Sequence, residues 1–240
     1  MWGNLSNFAA QTAKTMARNT VWHDDYWLLL MQIYLRKPVG VKPLYSRDMV
    51  DLGMELHIPP HALQAKMQQI ARLETPRIER IWRTYSGNPQ RLARAASLLR
   101  SMNGFGAADE FYDGVEVQET FEKEFRPLVA PAPGAEPATL EERVTPTMLI
   151  LILDLYFRLT PATMVKGTPE VQQMARMLKL KSEEVVQVLD TFQTCDPYLN
   201  RSMMMLTPLL VHCQQVWQRF GNHEPTELAA YAEQLKEYYL

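Results

Sequence analysis

Apolar residues recur at helical spacing in two stretches of the chain, residues 28–74 and 150–196, and the patterns coincide without a gap after a shift of 122 positions. Tyr34/Tyr156 and Arg36/Arg158 are among the few identities. The matching apolar pairs are Ile33/Leu155, Leu35/Phe157, Leu52/Met174, Ile58/Leu180, Leu63/Val185, Met67/Leu189 and Ile70/Phe192. Such self-similarity is typical of a duplicated module. The alternative is two unrelated sets of amphipathic helices that fall into register by accident.

Each stretch begins with a run that is apolar nearly all round, at residues 27–35 and 148–157. Periodicity alone does not distinguish a buried helix from a buried strand in such a run. We prefer helix because the elements that follow have clear helical spacing. Each copy is therefore predicted to superpose on the other as three helices.

The second and third helices of each copy have readable start signals. The second helices are predicted at Arg47–Leu56 and Pro169–Leu178, with Ser46 and Thr168 as N-caps. The third helices are predicted after a short break, from Pro60 to Leu73 and from an N-cap at Ser182 to about Cys195. Two helices joined by so short a break have the helix-turn-helix layout, although most such pairs bind nothing.

A family resemblance lies in residues 151–197, which contain the segments LDLYFR and PEV and a V…L…F…DP run. In these features the stretch resembles the small helical domain that precedes the catalytic domain in some bacterial HNH-type restriction endonucleases. The first copy, with YLRKP and QIARLETP, is a more distant match. The resemblance covers less than half of the chain and implies a DNA-associated helical module, without implying any base contact. No HNH nuclease motif is present, since the five histidines are scattered.

Two further helices are expected after each copy. The first carries a tryptophan as core anchor, Trp82 or Trp217, and the final helix lies at about 89–102 or 225–239. The sequence thus predicts an all-α protein with two related helical domains, each with a helix-turn-helix-like core. We place the N-terminal module at 1–102, an acidic segment and Pro/Ala-rich linker at 103–143, and the C-terminal module at 144–240. Residues 112–117 alternate as in a short strand, and the apolar run 203–206 fits either a dimer surface or burial in its own module.

Composition favours an ordinary globular protein of the cytoplasm. Two cysteines, Cys195 and Cys213, offer no disulfide framework and no metal-binding spacing. Residues 1–22 lack the apolar core of a signal peptide and read as an amphipathic arm that packs on its own module, with Leu5, Phe8, Ala9 and Met16 on one side. The apolar runs are too short to cross a bilayer, so we expect no membrane association.

Charge is distributed unevenly along the chain. Residues 1–100 hold 14 Lys/Arg and 7 Asp/Glu, whereas residues 101–150 hold 3 and 10. Arg77, Arg80 and Arg83 share one face of a predicted helix and are suited to neutralising phosphates. A solvated face that pairs with the acidic segment downstream explains these arginines equally well. Residues 109–124 carry a net charge of −6. They either cover part of this basic face or form a solvated connector whose charge keeps the chain soluble.

The third helix of the first copy is the candidate recognition helix. Leu63, Met67 and Ile70 are predicted to face the core. The opposite face then holds His61, Ala65, Gln68 and Arg72, flanked by Gln64 and Gln69. Glutamine and arginine pair with adenine and guanine edges. The second copy has Glu183, Gln187, Asp190 and Thr194 at the same positions, and its carboxylates would repel phosphate.

The sequence contains none of the common motifs that indicate an enzyme. There is no phosphate-binding glycine loop, no Gly-x-Ser-x-Gly and no histidine pair at metal spacing. We therefore expect a non-catalytic protein without cofactor or metal that binds double-stranded DNA in a regulatory or restriction-associated role. The alternative is a protein-protein interaction or structural protein of two degenerate helix-turn-helix modules, acting as a homodimer or with another protein.

Overall fold

A computed structural model describes residues 22–102, 105, 121–199, 207–222 and 224–240 of the chain. All regular elements in these ranges are helical, which confirms the all-α prediction at that level. The chain divides into two compact units, Met1–Glu122 (unit 1) and Lys123–Leu240 (unit 2). The arm at 1–21, the possible strand at 112–117 and the apolar run at 203–206 lie outside the described residues.

The described residues of unit 1 contain five helices of ten to thirteen residues. They are α1 Tyr26–Leu35, α2 Arg47–Leu56, α3 Pro60–Arg72, α4 Pro76–Tyr85 and α5 Pro89–Arg100. A short helix, α6 Glu122–Phe125, begins with the last residue of this unit. Proline opens α3, α4 and α5 at the first helical position, where its missing N–H has no partner to lose.

The described residues of unit 2 contain five helices of ten to fourteen residues in the same order. They are α7 Pro146–Arg158, α8 Pro169–Leu178, α9 Ser182–Cys195, α10 Leu210–Phe220 and α11 Pro225–Lys236, with a 3₁₀ turn at Pro161–Thr163 after α7. The Pro/Ala-rich residues 130–138 form a loop within this unit. Backbone hydrogen bonds close the loop, from Leu128 N to Val144 O at 2.9 Å and from Val129 N to Glu141 O at 3.1 Å.

The first long helix lies at the centre of each unit. α1 packs against α2, α3, α4 and α5, and α7 packs against α8, α9, α10 and α11. Leu30 in α1 and its counterpart Ile152 in α7 are completely buried. A helix surrounded by others needs apolar residues on every side, which explains why residues 27–35 and 148–157 show no clear periodicity.

The corner between the second and third helices has the same geometry in both units. His57 and Lys179 end α2 and α8 in the left-handed conformation, with φ of 55° and 56°. The next residue in each case bonds back to the helix, Ile58 N to Gly53 O at 3.0 Å and Leu180 N to Ala175 O at 2.9 Å. This six-to-one bond is the Schellman pattern. Each of these positions in unit 1 is 122 residues before its counterpart in unit 2.

The predicted capping residues need correction. Ser46 and Thr168 occupy the N-cap positions of α2 and α8, but neither side chain makes a capping hydrogen bond. The Thr168 hydroxyl instead donates to the Thr163 carbonyl at 2.5 Å. The N-cap of α9 is Lys181 rather than Ser182, because Glu184 reaches back to accept from the Lys181 N–H at 2.8 Å. α3 ends at Arg72 because Leu73 is left-handed, with φ of 49°.

Candidate nucleic-acid interface

α3 presents one polar face to solvent, and this face is the candidate recognition surface. Leu63, Met67 and Ile70 are 0 to 2% exposed and point into the core, as predicted. On the opposite side, His61, Ala65, Gln68 and Arg72 are exposed. Three of these four side chains carry hydrogen-bonding groups, and one carries a fixed positive charge.

Gln64 and Gln69 are less available than the exposed face. Both are only half-exposed. The Gln64 Nε2 donates to the Lys42 carbonyl at 3.1 Å, so its amide ties α3 to the loop between α1 and α2. The Lys42 Nζ donates to the carbonyl oxygens of Arg36, at 2.7 Å, and Pro38. Burial lowers the pKa of this ammonium below its ordinary value.

His61 stands on the first turn of α3, with its ring at the exposed face. Desolvation by the surrounding chain lowers the pKa of His61 below its ordinary value. The imidazole is therefore mostly neutral at pH 7, since even the ordinary pKa is 6.5. A neutral ring offers one donor and one acceptor, which suits hydrogen bonding to a base edge better than charge neutralisation of a phosphate.

α4 follows α3 after three residues and carries the predicted arginine cluster. The Thr75 hydroxyl caps this helix by accepting from Ile78 N at 3.3 Å. Arg77, Arg80 and Arg83 are all exposed. Arg77 lies 3.5 Å from an Asp25 oxygen and 3.8 Å from one of Asp24, and Arg83 bonds Glu79 at 2.5 Å.

Arg72 and Arg80 have no carboxylate within ion-pair distance among the described residues. Within the described residues, these two arginines therefore have no ion-pair partner that competes with an external anion. The pairs at Arg77 and Arg83 are solvent-exposed, and exposed ion pairs are worth at most about 1 kcal/mol. Phosphate can therefore compete for those two arginines as well.

The equivalent face of unit 2 has different chemistry, as the sequence predicts. Glu183 is exposed and lies 3.5 Å from Lys166 Nζ. Asp190 accepts a hydrogen bond from the Gln193 amide at 3.2 Å. The Thr194 hydroxyl donates to the Asp190 carbonyl at 3.2 Å. This face carries carboxylates and no arginine, so it provides a natural comparison for α3.

A buried ionisable pair supports the α2–α3 corner from behind, and sequence analysis did not find it. His57 Nδ1 lies 2.8 Å from Glu122 Oε1, and the two side chains are 14% and 8% exposed. The neighbouring Phe121 ring packs against Gly53, where an added Cβ would come within 3.2 Å of it. Glu122 was expected to face the arginines of the basic surface, and it contacts the corner instead. Residues 109–120 of the acidic segment lie outside the described residues.

None of the helices that the structure describes is long and apolar enough to cross a membrane. Within the described ranges no three His, Cys, Asp or Glu residues cluster as metal ligands. No protein-family model, no curated protein and no solved structure matches the chain.

Proposed function

We propose that this protein is a non-catalytic DNA-binding protein and that α3 of unit 1 is its recognition helix. The observation that carries the proposal is the exposed α3 face, where Gln68 and Arg72 follow His61 and where Arg72 has no carboxylate partner among the described residues. In helix-turn-helix proteins the second helix lies in the major groove with its side chains on base edges. Glutamine reads adenine there, and arginine reads guanine.

The arginines of α4 would supply phosphate contacts in the same complex. Arg77 and Arg80 lie within eight residues of Arg72 and are exposed. Contacts to phosphate fix the position of a protein on the duplex without specifying sequence. The likeness of residues 151–197 to the helical domain of HNH-type restriction endonucleases also supports a role on DNA, regulatory or linked to restriction.

The two units are best understood, in this proposal, as copies of one helix-turn-helix module. The left-handed corners at His57 and Lys179 and the buried central helices recur at the spacing of 122, and the five described helices of each unit follow in the same order. The copies have diverged on the exposed face of the third helix. Only the first has a face whose charge and hydrogen-bonding groups suit a duplex.

Alanine variants of the α3 face test the proposal. Gln68→Ala and Arg72→Ala should each weaken binding to a preferred duplex by about 1–3 kcal/mol if each makes a base contact. Gln187→Ala and Thr194→Ala change two α9 residues on the equivalent face of unit 2 and serve as matched controls. Binding is followed by fluorescence anisotropy, with the duplex chosen by selection from a random pool. Equal losses in both sets of variants would contradict a recognition role for α3.

A second candidate is a protein-protein interaction module, and one observation favours it for unit 2. Tyr198 is 90% exposed and Val211 58% exposed there, while the α9 face carries Glu183 and Asp190. Exposed aromatic and apolar side chains are common at protein interfaces. Size-exclusion chromatography with light scattering tests for self-association. A monomer at micromolar protein concentration would exclude the homodimer as the interacting species.

A further inference from the structure

The loop between α1 and α2, residues 36–46, is organised around a buried lysine. Lys42 is only 8% exposed. Its Nζ donates to the carbonyl oxygen of Arg36 at 2.7 Å and to that of Pro38. A buried ammonium needs such partners, because an uncompensated charge in the interior is costly. Since Arg36 and Pro38 flank Lys37 in the chain, the Lys42 side chain holds the backbone on both sides of Lys37.

The same loop is bound to the candidate recognition helix. The Lys42 N–H donates to Met67 Sδ at 3.2 Å, and the Lys42 carbonyl accepts from Gln64 Nε2 at 3.1 Å. Gln64 is a neighbour of both His61 and Gln68 on the helix surface, because it lies three residues after the first and four before the second. The loop therefore borders the exposed face of α3 on the side of Gln64.

Lys37 presents a positive charge at this border. It is exposed and has no carboxylate within ion-pair distance among the described residues. Asp48, in the first turn of α2, is bound by Arg36 at 2.5 Å. The nearby carboxylate is therefore occupied by another cation, and the Lys37 ammonium can take an external anion.

The corresponding loop of unit 2 lacks both lysines. In the register of 122 residues, Leu159 stands in the place of Lys37, and Met164 stands in the place of Lys42. Met164 is as buried as its counterpart, with 4% of its surface exposed. Packing alone therefore does not require a lysine at this position, and the charged clip is a property of the unit whose third helix suits DNA.

We propose that the α1–α2 loop is a second contact surface for duplex DNA, on which Lys37 binds a backbone phosphate beside α3 and Lys42 holds Lys37 in place. The inference rests on the proposed function of α3. Phosphate groups line both edges of the major groove, and contacts to them fix the register of a recognition helix without reading sequence. A loop that borders the exposed face of α3 is placed for such a contact.

Titration of a preferred and a random-sequence duplex at several salt concentrations tests the loop. Lys37→Ala should lower the slope of log K against log salt by about 1, as expected for one lost phosphate contact. It should weaken binding to both duplexes by the same factor, because the contact carries no sequence information. Lys166→Ala removes an exposed lysine from the corresponding loop of unit 2 and should leave both affinities and the slope unchanged.

A double-mutant cycle tests the role of Lys42. Lys42→Met introduces the residue of unit 2 and should reproduce the loss of slope caused by Lys37→Ala, with an unaltered circular dichroism spectrum. Adding Lys37→Ala to Lys42→Met should then have little further effect, because Lys37 is already displaced. Fully additive losses would show that Lys42 acts through its own charge, and they would overturn its positioning role.

Arg72→Ala separates a failure of this inference from a failure of the proposed function. If Arg72→Ala weakens binding but Lys37→Ala binds as tightly as the intact chain, the loop is not a contact surface and the proposed function stands. Equal losses in Lys37→Ala and Lys166→Ala would reduce the effect to net charge and overturn the inference as well. An intact chain that does not bind duplex DNA at low salt would overturn both.

Discussion

Tyr34 and Trp82 meet edge to face in unit 1, with ring centroids 5.9 Å apart and an interplanar angle of 77°. Tyr156 and Trp217 repeat the arrangement in unit 2, at 5.7 Å and 77°. Each pair joins the central helix of its unit to the fourth helix. The recurrence extends the resemblance between the units beyond the stretches 28–74 and 150–196, because Trp82 and Trp217 lie outside both.

The two tryptophans should differ in their contribution to stability. Trp217 is 7% exposed and also contacts Phe157 and Phe192, whereas Trp82 is half-buried. Trp217→Ala should therefore lower the free energy of unfolding by about 3–5 kcal/mol, the range for fully buried aromatic side chains. Trp82→Ala should lower the free energy of unfolding by a clearly smaller amount. Urea denaturation measures both values, and an equal or larger loss at Trp82 would contradict the assigned burial.

Gly53 in unit 1 and Ala175 in unit 2 occupy equivalent positions. The substitutions Gly53→Ala and Ala175→Gly should each destabilise the unit that carries them. A Cβ at Gly53 would lie 2.7 Å from the Ile58 carbonyl oxygen and 3.2 Å from the Phe121 ring, so Gly53→Ala requires the corner to shift. Overpacking of this kind costs about 1–3 kcal/mol. The control Ala175→Gly creates no clash and should cost only about 0.5–1 kcal/mol, through helix propensity. Thermal unfolding compares the two, and a stabilising Gly53→Ala would show that the contact is absent.

Cys195 should be an unreactive thiol near neutral pH. Burial raises its pKa to about 11 from 9.0, so the thiol stays protonated until the pH approaches 11. Because the thiolate is the nucleophile, alkylation by iodoacetamide at pH 8 should be about 100-fold slower than that of a small thiol with a pKa of 9. The rate should rise with pH up to about 11. Peptide mapping of labelled protein gives the rate, and fast labelling of Cys195 at pH 7 would contradict its burial.

Helix positions follow from sequence where short-range signals determine them. Arg47–Leu56 and Pro169–Leu178 have the predicted bounds, because apolar periodicity and the flanking residues define them locally. Contacts between residues that are far apart in the chain cannot be predicted from such local signals. Gln64 bonds a carbonyl 22 residues away and His57 bonds Glu122 across 65 residues, and no local pattern indicates either contact. Gln64 was thus predicted as a DNA ligand although its amide also holds the loop at Lys42.

The N-cap role predicted for Ser46 failed for a related reason. Its residue type and position match a cap, yet its Oγ is buried and has no hydrogen-bond partner among the residues that the structure describes. Capping depends on the side-chain rotamer, which the packing around Ser46 determines. The polar face of α3, in contrast, was predictable, since the burial of Leu63, Met67 and Ile70 fixes which residues face solvent.

Neutralising the acidic segment tests whether it competes with DNA. The change of Asp113, Glu116 and Glu119 to Asn or Gln should tighten binding and steepen its salt dependence if these carboxylates cover the arginines of unit 1. Each exposed pair is worth at most about 1 kcal/mol, so the combined gain should be modest. Duplex titration at two salt concentrations measures it. An unchanged affinity, in a protein that already binds DNA, would assign the segment no masking role.

Titration of random-sequence duplex DNA at low and moderate salt tests most directly whether α3 and α4 of unit 1 form a DNA interface. The intact chain should bind, with an association constant that falls steeply as salt rises, because each neutralised phosphate contributes about 0.9 to the slope of log K against log salt. Changing Gln68, Arg72, Arg80 and Arg83 together to Ala should weaken binding and flatten that slope by about 1 for each lost phosphate contact. An unaltered circular dichroism spectrum confirms that the variant is folded. Two results would contradict the interface. One is a variant that binds duplex DNA as tightly as the intact chain does, and the other is an intact chain that does not bind at low salt.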